Sequence, residues 1–227
     1  MCGRYTIHTP RDKIRERYGI ARDLATLEKL FERYNVAPSQ PVAAVRIARD
    51  GVRELVPLRW GLIPHWAKDP KTGYSMINAR AETVAAKPAF RDAFRRRRCL
   101  IPADGFYEWK QVGTAKQPFH IRMKEGGDFA FAGLWEHWQG EDQEIESCSI
   151  IVTDANDLLR PIHDRMPVIL DPADYEAWLD PENRDTEALA GLLMPYPAER
   201  MEAVPVSRRV NSPKTDEASL LDPVETT

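Results

Sequence analysis

The chain of 227 residues lacks the signatures of most common chemistries. Its three cysteines are too few, and odd in number, for a disulfide framework, so a reducing cytoplasm is the expected home. Cys99 and Cys148 have no Cys or His close in sequence, and neither HExxH nor CxxC spacing occurs, so no metal site is expected. There is no Gly-rich phosphate loop, and no cofactor is expected. No apolar run approaches membrane-spanning length, and no apolar stretch follows the early Arg4, so neither a span nor a signal peptide is expected. The formal net charge of −3 lacks the basic excess usual in nucleic-acid binders. The charges are unevenly spread, however. Arg95, Arg96, Arg97 and Arg98 are consecutive, Arg208 and Arg209 form a second cluster, and acidic residues gather at 141–146 and 216–226.

What is present is an ordinary soluble composition, 43% apolar and 30% charged, long enough for one substantial core. Thr9-Pro10 predicts a helix start with Thr9 as N-cap, ended by Gly19. Leu24, Leu27, Leu30 and Phe31 have helical spacing. Asp50-Gly51 between two apolar runs predicts a two-residue hairpin turn. Pro88 to Arg97 reads as a helix with Phe90 and Phe94 on one face. Strands are expected at 99–101, 105–110, 118–123, 129–136, 147–153 and 202–206, with a turn at Gly126-Gly127. Asp171-Pro172 opens a helix that buries Tyr175, Trp178 and Leu179. The fold class is α+β: one domain, residues 1–213, of mostly antiparallel, barrel-like sheet with peripheral helices. Residues 214–227 form an acidic tail expected to be loosely held.

Several residues can carry chemistry. Removal of Met1 would give Cys2 an α-amine beside its thiol. That amine has a pKa of about 7.8 against about 10.4 for lysine, so roughly 300-fold more of it is neutral near pH 7. A neutral amine attacks an aldehyde to give a Schiff base, and the neighbouring thiol can close onto the imine carbon as a thiazolidine. Taken alone, Cys2 reads first as a small residue near a strand start. Asn78 and Arg80 lie in Ile77-Asn78-Ala79-Arg80-Ala81-Glu82-Thr83, where an amide can orient a nucleophile and a guanidinium can hold a phosphate. Alternation over Asp104 to Lys110 puts Phe106, Glu108 and Lys110 on one face and Tyr107 and Trp109 on the other. Glu108 is either a carboxylate raised in pKa among aromatics or an ordinary solvent-facing Glu. His163, between Pro161 and Pro167, is equally well a general acid or a surface His in a turn. Trp60 and Trp66 are core caps or stacking residues, with Trp60 read as core. The Arg95–Arg98 run serves a helix C-terminus or DNA.

Together these segments resemble the SRAP family, the SOS response-associated peptidase or abasic-site processing proteins. The resemblance is carried by Met1-Cys2-Gly3-Arg4, Arg33-Tyr34-Asn35-Val36-Ala37-Pro38, Trp60-Gly61, Ile77 to Thr83, Gly105 to Lys110, Ile162-His163-Asp164-Arg165-Met166-Pro167 and Pro205-Val206-Ser207. It implies one compact domain that binds single-stranded DNA, or junctions of single and double strand, as a monomer in the cytoplasm or at the nucleoid. It implies a thiazolidine crosslink between Cys2 and the aldehyde of an abasic site. Asn78 would hold the amine and the opened sugar, Glu108 would move protons, and His163 would act as acid on the sugar oxygen. Arg4, Arg80 and Arg165 would lie near phosphates, Ser207 and Arg208 would join the DNA-contacting set, and Trp66 would be an aromatic wedge. Self-removal of the N-terminal residue and a lyase-like action also belong to the resemblance. Two rivals stand beside it. An N-terminal-nucleophile amidohydrolase would need an oxyanion hole, usually an Asn-Gly pair, which is absent. A non-catalytic single-strand-binding module would not need Cys2.

Overall fold

The computed structural model describes residues 2–23 and 25–225. Its centre is a ring of five strands. Glu144–Asp154 pairs antiparallel with Phe129–Gln139, which pairs with Arg98–Ala103; that strand meets Pro41–Ile47, and Pro41–Ile47 makes a hairpin with Arg53–Trp60. A short parallel contact, Ser147 beside Arg59 and Cys148 beside Trp60, joins the last strand to the first and closes the barrel. Closure satisfies backbone groups that an open sheet would leave at its edges. A second, antiparallel sheet of five strands runs in the order Met201–Pro205, Ala115–Met123, Gly105–Val112, Tyr5–Ile7, Arg33–Val36. The helices are short and peripheral, so the α+β, barrel-like expectation holds.

The first strand is pinned between these layers. Tyr5 meets Trp60 and Phe131 edge-on, with ring centroids 5.5 and 5.8 Å apart. Trp60 is fully buried, as read from the sequence. Tyr5 pairs with Phe106 and Thr6 with Gly105, and Tyr107 N–H donates to Arg4 O at 2.9 Å. Extending that register places Gly3 opposite Glu108. The fold thus delivers the amino terminus alongside the Gly105–Val112 strand.

Several local expectations change. Thr9 does not cap the first helix, Arg11–Arg17; its hydroxyl donates to Asp104 Oδ1 at 2.5 Å, and Pro10 occupies the cap position. Asp104 also accepts from the backbone of His8 and Thr9, a charged acceptor that outcompetes the helix end. The hairpin forms, but over three residues: Gly51 N–H donates to Ala48 O at 3.0 Å, and Gly51, at φ 81°, takes the left-handed position that follows a type I turn. The expected second helix is the 3₁₀ segment Ala25–Leu30, in which Leu27 and Leu30 are buried three residues apart; Leu24 lies outside the described residues. Arg98 is neither solvated nor available to DNA. It is buried, and its guanidinium donates to the carbonyls of Trp178, Phe94, Asp180 and Asn183. The acidic segment after Pro213, expected to be loosely held, docks through Arg33 to Asp216, Asn35 Nδ2 to Thr215 O and the buried Leu220.

Candidate active site at the amino terminus

The strand Gly105–Val112 separates two apolar clusters. Phe106 belongs to the main core, while Tyr107 packs with Val206, Val210 and Leu220 on the other side. Glu108 follows on the main-core side and is only 3% exposed, so the solvent-facing reading of this carboxylate is wrong. Burial raises its pKa, against the opposing positive charges of the amino terminus and His163. Cys2 is fully buried with Met1 still attached, and its thiol is held well above the ordinary range. Burial is the main cause and the charge of Glu108 the second; the amino terminus and the Arg4 backbone N–H pull the other way. The charge of Glu108 thus acts on the Cys2 thiol, and that of His163 on Glu108.

Glu108 and His163 line a cavity of ≈ 440 Å³ with Trp109, Lys116 and Asn211. His163 Nδ1 lies 3.0 Å from Arg165 N and 2.9 Å from Asp164 Oδ1. A backbone N–H can only donate, so in the neutral ring Nδ1 accepts and Nε2 carries the proton. In the imidazolium form, Nδ1–H turns to Asp164. His163 thus sits in a turn, with its ring held at Nδ1 and lining the cavity.

The remaining sequence candidates lie in different surroundings. Asn78 opens the strand Asn78–Arg80, which pairs with Ile150 to Val152. Both amide atoms of Asn78 are buried with no hydrogen-bond partner among the described residues, an arrangement that costs stability unless a ligand completes it. Arg4 donates to Asn35 Oδ1 at 2.8 Å and to Val210 O at 2.7 Å and lies 5.9 Å from the Trp109 ring centroid. Its partners are neutral, its Nε has none among the described residues, and burial lowers its pKa. Arg165, by contrast, is paired with Glu82 and with Asp154. Arg80 is exposed on the strand edge. Ser207 caps the turn Arg208–Asn211, and Asn211 accepts from Trp109 Nε1 at 2.7 Å, so this turn leans on the cavity wall. Trp66 is 53% exposed on a separate loop and does not line the cavity.

Sequence reasoning passed over Lys116, Asn211 and Asn35. The hairpin turn Gly113-Thr114 is the signal for Lys116, since it sets Gln111 opposite Lys116 and folds the lysine back over the strand of Glu108. A larger cavity of ≈ 1040 Å³ lies elsewhere, between Arg46, Trp135, Glu136 and Glu146. Several of its charges are paired: Arg46 with Glu54 and Glu146, and Arg97 with Glu136. No cluster of metal-ligating side chains occurs among the described residues.

A closed barrel carries a buried cysteine near its amino terminus on a strand beside a buried glutamate, and that glutamate shares a cavity with a histidine. The family model described as SOS response associated peptidase (SRAP) matches residues 1–213, and the chain belongs to that family. It is 48% identical over 225 residues to the abasic site processing protein YoqW of Bacillus subtilis, covering 98% of this chain and 99% of that protein. It is 33% identical over 234 residues to the abasic site processing protein YedK of Escherichia coli, covering 99% and 100%. The mouse abasic site processing protein HMCES is 32% identical over 272 residues, which span 99% of this chain and 76% of that protein. A solved protein from Bacteroides thetaiotaomicron superposes with a TM-score of 0.88 at 30% identity, over 99% of this chain and 100% of that one.

Proposed function

We propose that this protein processes abasic sites in single-stranded DNA by trapping the opened sugar on Cys2 once Met1 is gone. The observation that carries the reading is Glu108 and His163 lining one cavity, with the strand that follows Cys2 in register beside Glu108; the names of the relatives agree with abasic-site processing. An abasic sugar is mostly a closed hemiacetal. His163, as the imidazolium, gives its Nε2 proton to the ring oxygen and keeps its Nδ1–H, while Glu108 takes the proton of the anomeric hydroxyl, and the ring C–O bond breaks to leave an aldehyde. The Cys2 amine adds to that carbon, Glu108 returns its proton to the departing hydroxyl, and the adduct loses water to become an iminium ion. The thiol then passes its proton to Glu108 and sulfur bonds to the iminium carbon, leaving a neutral ring N–H, and the proton on Glu108 goes back to His163. Amine, thiol and aldehyde become thiazolidine and one water, with no oxidation or reduction.

The perturbed groups suit these steps. A carboxylate whose pKa is raised by burial is a stronger base toward a thiol than an ordinary one. Burial keeps the thiol protonated until the cationic imine forms beside it. Asn78, with its amide unpartnered among the described residues, holds the amine and the opened sugar hydroxyl. Arg4, desolvated against neutral groups, gains most from a phosphate, and Arg80 and Arg208 extend that contact. Arg165 must release Glu82 or Asp154 to do the same. Trp66 stacks at the end of a duplex, and Ser207 orients the turn of Arg208. The same Schiff-base chemistry supports lyase action, and self-removal of Met1 is the peptidase step. A local basic cleft is enough for a chain of net charge −3 to bind DNA as a monomer at the nucleoid.

The test is a denaturing gel of the Met1-processed protein with single-stranded DNA carrying one abasic site. A slowly migrating covalent band that is lost in Cys2→Ala is expected. Wild-type protein that gives no band, or Cys2→Ala protein that gives the same band, overturns the proposal. The first outcome leaves a plain binding module, and an amide substrate cleaved by Cys2 would favour the amidohydrolase.

A further inference from the structure

The segment from Gly61 to Met76 leaves the barrel at the end of Arg53–Trp60 and returns just before Asn78. Its neck is tightly shut. Leu62 N–H donates to Met76 O at 3.1 Å, and a Cβ on either Gly61 or Gly73 would lie 2.6 Å from the carbonyl oxygen of the other. Trp60 Nε1 donates to Ile77 O at 2.9 Å, and Trp138 Nε1 donates to Ala67 O at 2.7 Å. A loop held at its neck and its middle presents its surface residues in fixed positions.

That surface carries Trp66 and also Tyr74, which is 61% exposed. The Arg59 guanidinium sits over the Tyr74 ring, 5.1 Å from its centroid. Arg59 has no carboxylate partner among the described residues, and Lys71 lies in the same turn, Pro70–Ser75. A single exposed aromatic is ordinary on a protein surface. An uncompensated cation fixed on the face of that aromatic is a different object, since it offers a π-surface for a base and a charge for the phosphate beside it.

We propose that Tyr74, backed by Arg59, is a stacking platform for an unpaired nucleobase flanking the abasic site. This rests on the DNA reading given above and adds a second aromatic contact to that of Trp66. The four residues from Tyr74 to Asn78 span at most about 14 Å. At about 3.4 Å per stacked nucleotide, the platform lies within about four nucleotides of a sugar held by Asn78.

The experiment uses fluorescence anisotropy with single-stranded DNA carrying a tetrahydrofuran abasic analogue, which has no aldehyde and cannot crosslink. Tyr74→Ala is expected to weaken binding about 5- to 150-fold, the range for loss of one base stack, and Tyr74→Phe to stay near wild type. Placing one additional spacer at each flanking position should reproduce the loss in wild type at a single position, and Tyr74→Ala should be insensitive there. Arg59→Gln should reduce the slope of log affinity against log salt by about 0.7. Binding by Tyr74→Ala within about twofold of wild type, or unchanged base-position sensitivity, overturns the proposal. Tyr74 is exposed, so an unchanged melting temperature confirms that the fold is intact. The aldehyde-dependent covalent band of wild type separates the two readings: a wild type that crosslinks and a silent Tyr74→Ala refute the platform alone.

Discussion

Lowering the pH should loosen the sheet that holds Cys2 and Glu108, through one buried histidine. His120 is 1% exposed on the strand Ala115–Met123, directly opposite Tyr107 in the ladder. Its Nε2 lies 3.2 Å from Thr6 Oγ1, its Nδ1 has no partner among the described residues, and its ring is 5.0 Å from that of Tyr107. Burial, with smaller contributions from Arg122 and His8, pushes its pKa from 6.5 down to about 3. The unfolded chain therefore binds this proton first as pH falls. Stability is fully present above about pH 6.5 and declines until about pH 3, where the folded state is protonated too. An interval of about 3.5 pH units at about 1.4 kcal/mol per unit sets a ceiling of about 5 kcal/mol. Local opening of the sheet to admit the proton makes the realised loss smaller, on the order of 2–4 kcal/mol. Urea unfolding from pH 7.5 to 4 for wild type and His120→Gln isolates this residue from the carboxylates that titrate in the same scan. The variant should be less stable at pH 7.5 but should lose less stability in acid, so the difference curve flattens toward zero. A pH-independent difference between the two proteins would refute the reasoning.

Three further outcomes follow from single contacts. Glu108 has the opposite sign to His120: its raised pKa means that stability is greatest below about pH 4.5 and is lost as pH rises through the folded value. Glu108→Gln should therefore stabilise the fold at pH 7.5 by about 0.5–2 kcal/mol in thermal unfolding while slowing crosslinking about 100-fold or more. Gly105→Ala would set a Cβ 2.1 Å from His120 Nε2 and 2.9 Å from Ile121 O, so chemical denaturation should show a loss of about 1–3 kcal/mol. Arg98→Gln leaves several buried carbonyls without their donor and should cost about 3 kcal/mol, with DNA affinity per folded molecule unchanged.

The strands of the barrel were legible because their residues alternate or run apolar over five to eight positions, and the order of segments from Cys2 to Ser207 was enough to recognise the family. What could not be read was pairing between distant segments. Nothing local in Arg95–Arg98 says that the fourth arginine turns inward to four carbonyls and the third to Glu136 while the first two face out. Thr9 has an N-cap sequence, and only the arrival of Asp104 from another strand takes its hydroxyl away. Glu108 is legible as a position on a face, but its burial depends on which layer covers that face. The parallel contact of Trp60 with Cys148 that closes the barrel joins residues 88 apart and has no turn signature. Asn35 was part of a recognised motif, yet its bonds to Arg4 and to Val210, Ser212 and Thr215 appear only in three dimensions.

The central claim is that amine and thiol of one residue act together on an aldehyde. Mass analysis of the crosslinked amino-terminal peptide tests it most directly. The account predicts a peptide that begins at Cys2, lacks Met1, carries the sugar remnant less one water, and resists both thiol alkylation and amine labelling. A remnant attached to a lysine, or to the Cys2 sulfur with the amine still free and no water lost, would contradict it.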